Sequence, residues 1–262
     1  MKRFSLLLLL ALPVLFVRCE KDDDDQPLPE TPAANYADSI KQGLWAYFPL
    51  NGNFGDSSGH NRNLRGVNGI QFGADKKGTA NNALLFDGVN DFAVIDSGTL
   101  FPSGNFTFSF QMYPQRTLVG RIFNKANYND ATGASINFGF DDDNRTNKLN
   151  FSLSNNPNIC GSLWSAGTAT TLYTNTVLSA NSWYSVVAEN YNGIMRVYIN
   201  GQLIEATAAN SSNFSPCSNA PIYFGIWWLN DLKPFQGLMD NIRIYNRTLS
   251  YKEIKYISDN SK

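Results

Sequence analysis

The chain has 262 residues, a formal net charge of −1 and 13% aromatic residues, with 18 Phe and 12 Tyr. A chain of this length buries an ordinary core without metals or cross-links, and the near-neutral charge with no basic stripe excludes a nucleic-acid binder. A single histidine, His60, excludes a three-histidine zinc site within one chain.

In chain order, the first element is an export signal. Lys2-Arg3 precede a predominantly apolar run from Phe4 to Val17, which is followed by Cys19 and the acidic stretch Glu20-Lys21-Asp22-Asp23-Asp24-Asp25. The run is shorter than the ~20 residues a spanning helix needs. A Cys at the stop resembles the signal of bacterial lipoproteins. That resemblance implies cleavage after residue 18, acylation of Cys19 and attachment to the outer membrane through the lipid. The acidic run resembles a surface-export signal and implies exposure at the cell surface, with a solvated spacer on the periplasmic face as the alternative. Residues 19–42 read as a tether, with Pro27, Pro29 and Pro32 favouring extended chain. The domain is expected over residues 43–262. With Cys19 assigned to lipid, Cys160 and Cys217 remain, both in Asn/Ser/Pro-rich segments. They form either a disulfide, as loop staples do in an oxidising compartment, or two buried thiols.

Short alternating apolar segments separated by Gly, Asn, Asp and Ser predict strands throughout. They are Leu44–Phe48, Phe92–Ile95, Phe106–Tyr113, Ser135–Phe140, Lys148–Leu153, Tyr184–Glu189, Met195–Ile199, Ile222–Ile226 and Leu238–Tyr245. Asn200-Gly201 between two such runs predicts a two-residue hairpin. Ser250 and Glu253 form a capping box ahead of a short C-terminal helix. Asp141-Asp142-Asp143-Asn144 reads as a solvated turn, since it lacks the Gly and Glu of an EF-hand loop. The fold class is all-β, a two-sheet antiparallel sandwich.

Four segments carry a family resemblance: Leu44 to Asn53 with Asp56-Ser57-Ser58-Gly59; Ala83 to Phe92; Trp183 to Leu203; and Gly237 to Arg247. In this order they resemble the laminin-G-like, concanavalin A-like lectin/glucanase superfamily. The resemblance implies a jelly-roll of two curved sheets of six or seven strands each. Asp240 interrupts an apolar strand, and a buried carboxylate must be paired or coordinated. The resemblance implies structural Ca²⁺ between the early Asp loop and the late strand, with Asp56, His60, Asn61 and Asp240 as ligand candidates. Pairing of Asp240 with Arg243, Arg247 or a backbone N–H is the alternative.

Family glucanases use alternating Glu, Asp and Glu on one strand. Only Glu189, Glu205 and Glu253 lie beyond residue 43, without that spacing. A non-catalytic role is therefore expected. Sugar binding requires aromatic faces beside carboxylates and amides. Trp164, Tyr173, Trp228, Asn230 and Asp231 are the candidates, with Trp228 outward by alternation. The expected partner is a glycan or polysaccharide. A surface protein bound by an adhesin module is the alternative, and a hydrolase is the third reading.

Overall fold

Phe106, Phe108, Phe110 and Met112 occupy alternate positions of one strand, and all four are buried. This period of two forces the strand to lie on a second sheet that supplies the opposing apolar face. The structure, a computed structural model, describes residues 33–96, 101–126, 135–140, 147–154, 169–209, 214, 220–229 and 231–260. Cys19, Cys160, Cys217, Trp164, Asn230 and the Asp141–Asn144 turn lie outside the described residues.

The strands are β1 (Leu44–Phe48), β2 (Arg65–Val67), β3 (Gln71–Gly73), β4 (Ala83–Asp87), β5 (Phe92–Ile95), β6 (Phe106–Pro114), β7 (Gly120–Lys125) and β8 (Ile136–Phe140). They continue with β9 (Leu149–Ser154), β10 (Ala169–Tyr173), β11 (Tyr184–Tyr191), β12 (Ile194–Ile199), β13 (Gln202–Ala208), β14 (Ile222–Phe224) and β15 (Gln236–Tyr245). Two helices flank them, α1 (Ala33–Ser39) and α2 (Tyr251–Asn260). The first sheet has eight strands, in the order β13-β12-β11-β6-β15-β4-β3 with β1 also on β15. The second has seven, in the order β10-β9-β8-β7-β14-β5-β2. All strand pairs are antiparallel. The expected sandwich is thus present, with eight strands in the first sheet rather than six or seven because β1 also pairs with β15.

Phenylalanines fill the space between the sheets. Phe108 of β6 lies 4.0 Å from Phe123 of β7 and 5.4 Å from Phe138 of β8, centroid to centroid. Phe123 in turn meets Phe224 of β14 edge-on at 5.4 Å. Each such pair adds ~0.5–1.5 kcal/mol beyond the area it buries. Local turns agree with this packing. Asn200 (φ 51°) and Gly201 (φ 77°) take the left-handed conformations of a primed hairpin, and Ile199 faces Gln202 across it. β14 ends at Phe224, two residues short of expectation. Gly225 has φ 93°, and a Cβ there would sit 2.3 Å from the Phe86 ring.

The folded unit begins at Ala33, ten residues before the expected boundary. Residues 33–42 are a helix and turn rather than free tether. The reason is the Glu253 carboxylate of α2, which accepts Ser250 N–H (2.7 Å) and Ser250 Oγ (2.9 Å), as the capping box required. It also accepts Arg247 Nη2 (2.7 Å) and Nη1 (3.1 Å), and the Ser39 hydroxyl. Arg247 continues to the carbonyls of Ser39 (2.8 Å) and Gln42 (2.9 Å), tying α1 to the last loop. Ile40 and Leu44 pack there on Tyr245, Leu249, Ile254 and Ile257.

Burial alone would raise the Glu253 carboxyl, but the donors of Arg247, Ser39 and Ser250 overcome it and hold the group down to about 2. Its stabilisation is therefore complete above the ordinary carboxyl range and is lost as pH falls toward 2. Glu253→Gln is expected to cost about 2–3 kcal/mol at pH 7, and its melting temperature should converge on wild type near pH 2. A constant difference at all pH values would refute the clasp. Gly225→Ala should cost at least ~2 kcal/mol in chemical unfolding, through strain and the Phe86 clash.

Candidate functional site

Asp56 sits in the turn after β1, and its carboxylate accepts four donors. Tyr47 N–H (2.9 Å) and Ser58 N–H (2.8 Å) reach Oδ1; Ser58 Oγ (2.9 Å) and Arg62 N–H (2.9 Å) reach Oδ2. Burial pushes this carboxyl up, but the donated bonds outweigh it and leave the group below its ordinary range. A carboxylate offers about four acceptor sites, so Asp56 has none left for a cation. Asp240 is almost fully buried on β15 and accepts Asn241 N–H (2.6 Å) and Asn241 Nδ2 (2.9 Å). Burial pushes it up to about 7, opposed by the Asn241 donors and raised further by the charge of Asp75. Asp75 is itself turned into its own loop by Thr79 and Lys77 N–H.

His60 and Asn61 are exposed. The four expected calcium ligands do not fit one ion as a set, because Asp56 is saturated by its own turn. Among the described residues, no group of three or more His, Cys, Asp or Glu could hold a metal. The early loop and the late strand are nonetheless adjacent, since Tyr47 of β1 pairs with Arg243 of β15.

The outer face of the second sheet offers a different arrangement. β5 reads Phe92-Ala93-Val94-Ile95, with no polar residue on either face. Ala93 and Ile95 enter the core, while Phe92 and Val94 pack outside it with Tyr223 of β14 and Ile226. These outer residues floor a groove of about 250 Å³, rimmed by Arg65 and Asn68 from the β2 edge and by Leu229. Phe92 and Tyr223 meet edge-on at 5.7 Å. Arg65 is held by Asp96 (2.6 and 3.1 Å), and Asn68 Nδ2 donates to the Asn90 carbonyl (2.7 Å). The volume lies just below the ~300–1,000 Å³ of drug-sized sites, which suits a single sugar residue over an apolar floor. Beside it, burial pushes the Asp91 carboxyl up to about 7; Asp87 N–H opposes this and the Asp87 charge adds to it.

The same face continues as a polar ladder. Asn137 Nδ2 donates to Asn150 Oδ1 (2.9 Å), Ser152 and Thr171 hydroxyls meet at 2.8 Å, and Arg121 Nη1 reaches the Phe140 carbonyl (3.1 Å). Trp227 and Trp228 lie over it. Trp228, expected to point outward, is only 8% exposed, and Trp227 is 5% exposed. The alternation fails because the strand has already ended at Gly225. Trp227 N–H instead donates to the Leu232 carbonyl (2.8 Å), and Trp228 forms an isolated bridge with Asp231. The two rings contact each other at 3.8 Å and pack on Ala126 and Ala169. Arg121 lies 4.9 Å from the Trp227 ring.

Tyr173 is half-buried on β10, opposite Asn150 and so on this same face. Asp231 is half-buried and 3.9 Å from Lys233. The structure thus brings Tyr173 and Trp228 to one face, while the groove itself is made of residues not foreseen. The available signal was β5, whose unbroken apolar run marks a strand covered on both sides.

The three glutamates are each engaged elsewhere. Glu189 is fully buried against Arg196 (3.3 Å) and Tyr198 (3.3 Å), Glu205 accepts Asn175 (2.8 Å), and Glu253 holds the helix clasp.

Solved structures with the same fold include domain 4 of AbnA, a GH43 extracellular arabinanase from Geobacillus stearothermophilus, in complex with arabinotriose. It is 20% identical with a TM-score of 0.62, over 82% of this chain and 98% of that one. The binding domain of botulinum neurotoxin serotype D is 17% identical with a TM-score of 0.63, over 85% of this chain and 53% of that one. The binding domain of botulinum neurotoxin DC in complex with SialylT is 15% identical with a TM-score of 0.63, over 85% and 52%. The chain therefore spans about half the length of the neurotoxin domains. No curated protein sequence matches it. The laminin-G-type family model matches residues 87–255, well over half the chain, and with the sandwich described above this places the protein in the concanavalin A-like lectin/glucanases superfamily.

Proposed function

We propose that this protein is a non-catalytic glycan-binding module, held outside the cytoplasm by a lipid on Cys19. The observation that carries the reading is the groove on the second sheet. An apolar aromatic floor of Phe92, Val94 and Tyr223 beneath the polar rim of Arg65 and Asn68 matches the two-sided chemistry of a pyranose or furanose ring. Its C–H face seeks apolar contact and its hydroxyls seek amide and guanidinium partners. The relatives support this reading: the arabinanase domain was solved with arabinotriose, and a type C neurotoxin of the same fold interacts with two ganglioside molecules. The engagement of all three glutamates favours binding over hydrolysis.

The anchor follows from the order of Lys2-Arg3, the apolar run and Cys19. A single acyl chain holds weakly, and two or more hold firmly at ~0.8 kcal/mol per buried methylene.

Calorimetric titration of the full chain with arabino- and sialo-oligosaccharides should show saturable binding without release of reducing sugar. Asn68→Ala and Leu229→Ala should each weaken it about tenfold, or ~1.4 kcal/mol. No binding to any glycan, together with capture of a surface protein, would replace this reading with the adhesin one; released sugar would replace it with the hydrolase. For the anchor, Cys19→Ala should abolish labelling by an alkyne-tagged fatty acid in cells. Retained label would remove the lipid assignment.

A further inference from the structure

A second groove lies on the other sheet, between α1 and the β1–β15 pair, with a volume of about 360 Å³. Its apolar wall is Ala37, Ile40 and Leu44; its polar wall is Arg243, Ser57 and Ser58, with Lys41 at the rim. Cations and hydroxyls line it, and among the described residues no acidic one does.

Arg243 is the informative group. Its guanidinium carbon lies over the Tyr47 ring, 4.3 Å from the centroid. Its hydrogen bonds are long and go only to neutral acceptors: Asn241 carbonyl (3.3 Å), Tyr47 hydroxyl (3.2 Å) and Asn241 Oδ1 (3.4 Å). Tyr47 in turn donates to Asn241 Oδ1 (3.1 Å), so the stack is fixed from both sides. A guanidinium carries five N–H donors. Those of Nε and the second hydrogen of Nη1 have no acceptor among the described residues.

The nearby carboxylates do not supply one. Asp38 is taken by Lys41 (2.9 Å), Asp56 by its four turn donors, and buried Asp240 bonds to Asn241 rather than to Arg243. Ser57 is exposed, and its hydroxyl likewise has no partner among the described residues. An immobilised planar cation with spare donors, facing hydroxyls on one side and an apolar wall on the other, is arranged for a carboxylate carried on a small ring.

We infer that this groove is a separate subsite for an acidic sugar, with the uronate carboxylate on Arg243, ring hydroxyls at Ser57 and Ser58, and the C–H face against Ile40 and Leu44. A carboxylate takes two parallel N–H bonds from a guanidinium, whereas a neutral hydroxymethyl group in its place cannot. The subsite is independent of the groove on the second sheet and discriminates by charge where the other discriminates by shape.

The test is an NMR titration of the full chain with glucuronate, glucose and inorganic sulfate, reading the amides of Tyr47, Ser57 and Ser58. Glucuronate should bind at least tenfold more tightly than glucose. Sulfate should compete with it, and excess arabinotriose should not. Arg243→Gln should abolish the preference for glucuronate. Because Arg243 also braces Tyr47, Ser57→Ala and Lys41→Ala serve as variants at exposed positions, each expected to weaken glucuronate at least threefold. Equal affinity for glucose and glucuronate would overturn the subsite. So would displacement by arabinotriose, or unchanged affinity in both exposed-site variants. Binding of sulfate without glucuronate would overturn the acidic-sugar assignment, leaving a bare anion site.

Discussion

β15 must satisfy two different neighbours along one edge. Its other edge pairs with β6, but the near edge pairs with β4 from Gln236 to Met239 and then with β1 from Ile242 to Tyr245. Two strands cannot occupy one lane without a break, and the break falls at Asp240-Asn241. The register with β6 shifts there, and Asn241 takes φ 52°. The Asp240 carboxylate bonds to the Asn241 N–H and amide, satisfying the donors that the irregularity frees. A polar pair in an otherwise apolar strand is thus the local cost of closing the sheet with both ends of the domain.

That closure positions everything near the termini. With β1 laid beside the second half of β15, the segment before β1 and the helix after β15 emerge on the same side of the first sheet. Glu253 and Arg247 can then bind α1 to α2, and Tyr245 Oη can donate to the Ile40 carbonyl (2.9 Å). The same adjacency stacks Arg243 on Tyr47. The turn at Asp56 completes this corner, since its carboxylate organises the loop that carries Ser57 and Ser58.

The two sheets use their outer faces differently. On the outer side of the first sheet, α2 with Ile40 and Leu249 packs over Val187, Tyr198 and Tyr245. The outer side of the second carries amides and hydroxyls along β8, β9 and β10, changing to an apolar floor at β5 and β14. Most phenylalanines are spent between the sheets, where a ring gains far more from burial than from an occasional ligand. Trp227 and Trp228 are among those buried outside that core: they pack against the polar ladder and its Arg121.

Periodicity made much of this legible before any coordinates. The alternations at Phe106–Tyr113, Ser135–Phe140 and Lys148–Leu153 named the inner faces, Asn200-Gly201 named a hairpin, and Ser250 with Glu253 named a helix start. These are short-range rules, decided by sterics and hydrogen bonds within a few residues. The short strands β2 and β3, lacking enough residues to show a period, escaped them, as did the longer β7 and β10; so did α1, whose stability comes from Arg247 and Glu253 more than 200 residues away. How Asp240 is satisfied, where the tryptophans turn, and which side chains floor a groove depend on strand order and on Gly225 ending β14. Strand order is a matter of long-range pairing, in which residues far apart in the chain become neighbours. For this protein the sequence alone therefore determined the layers and their inner faces, because a period of two is a local property. Only the tertiary structure decided the sites, because they form where distant strands and loops meet.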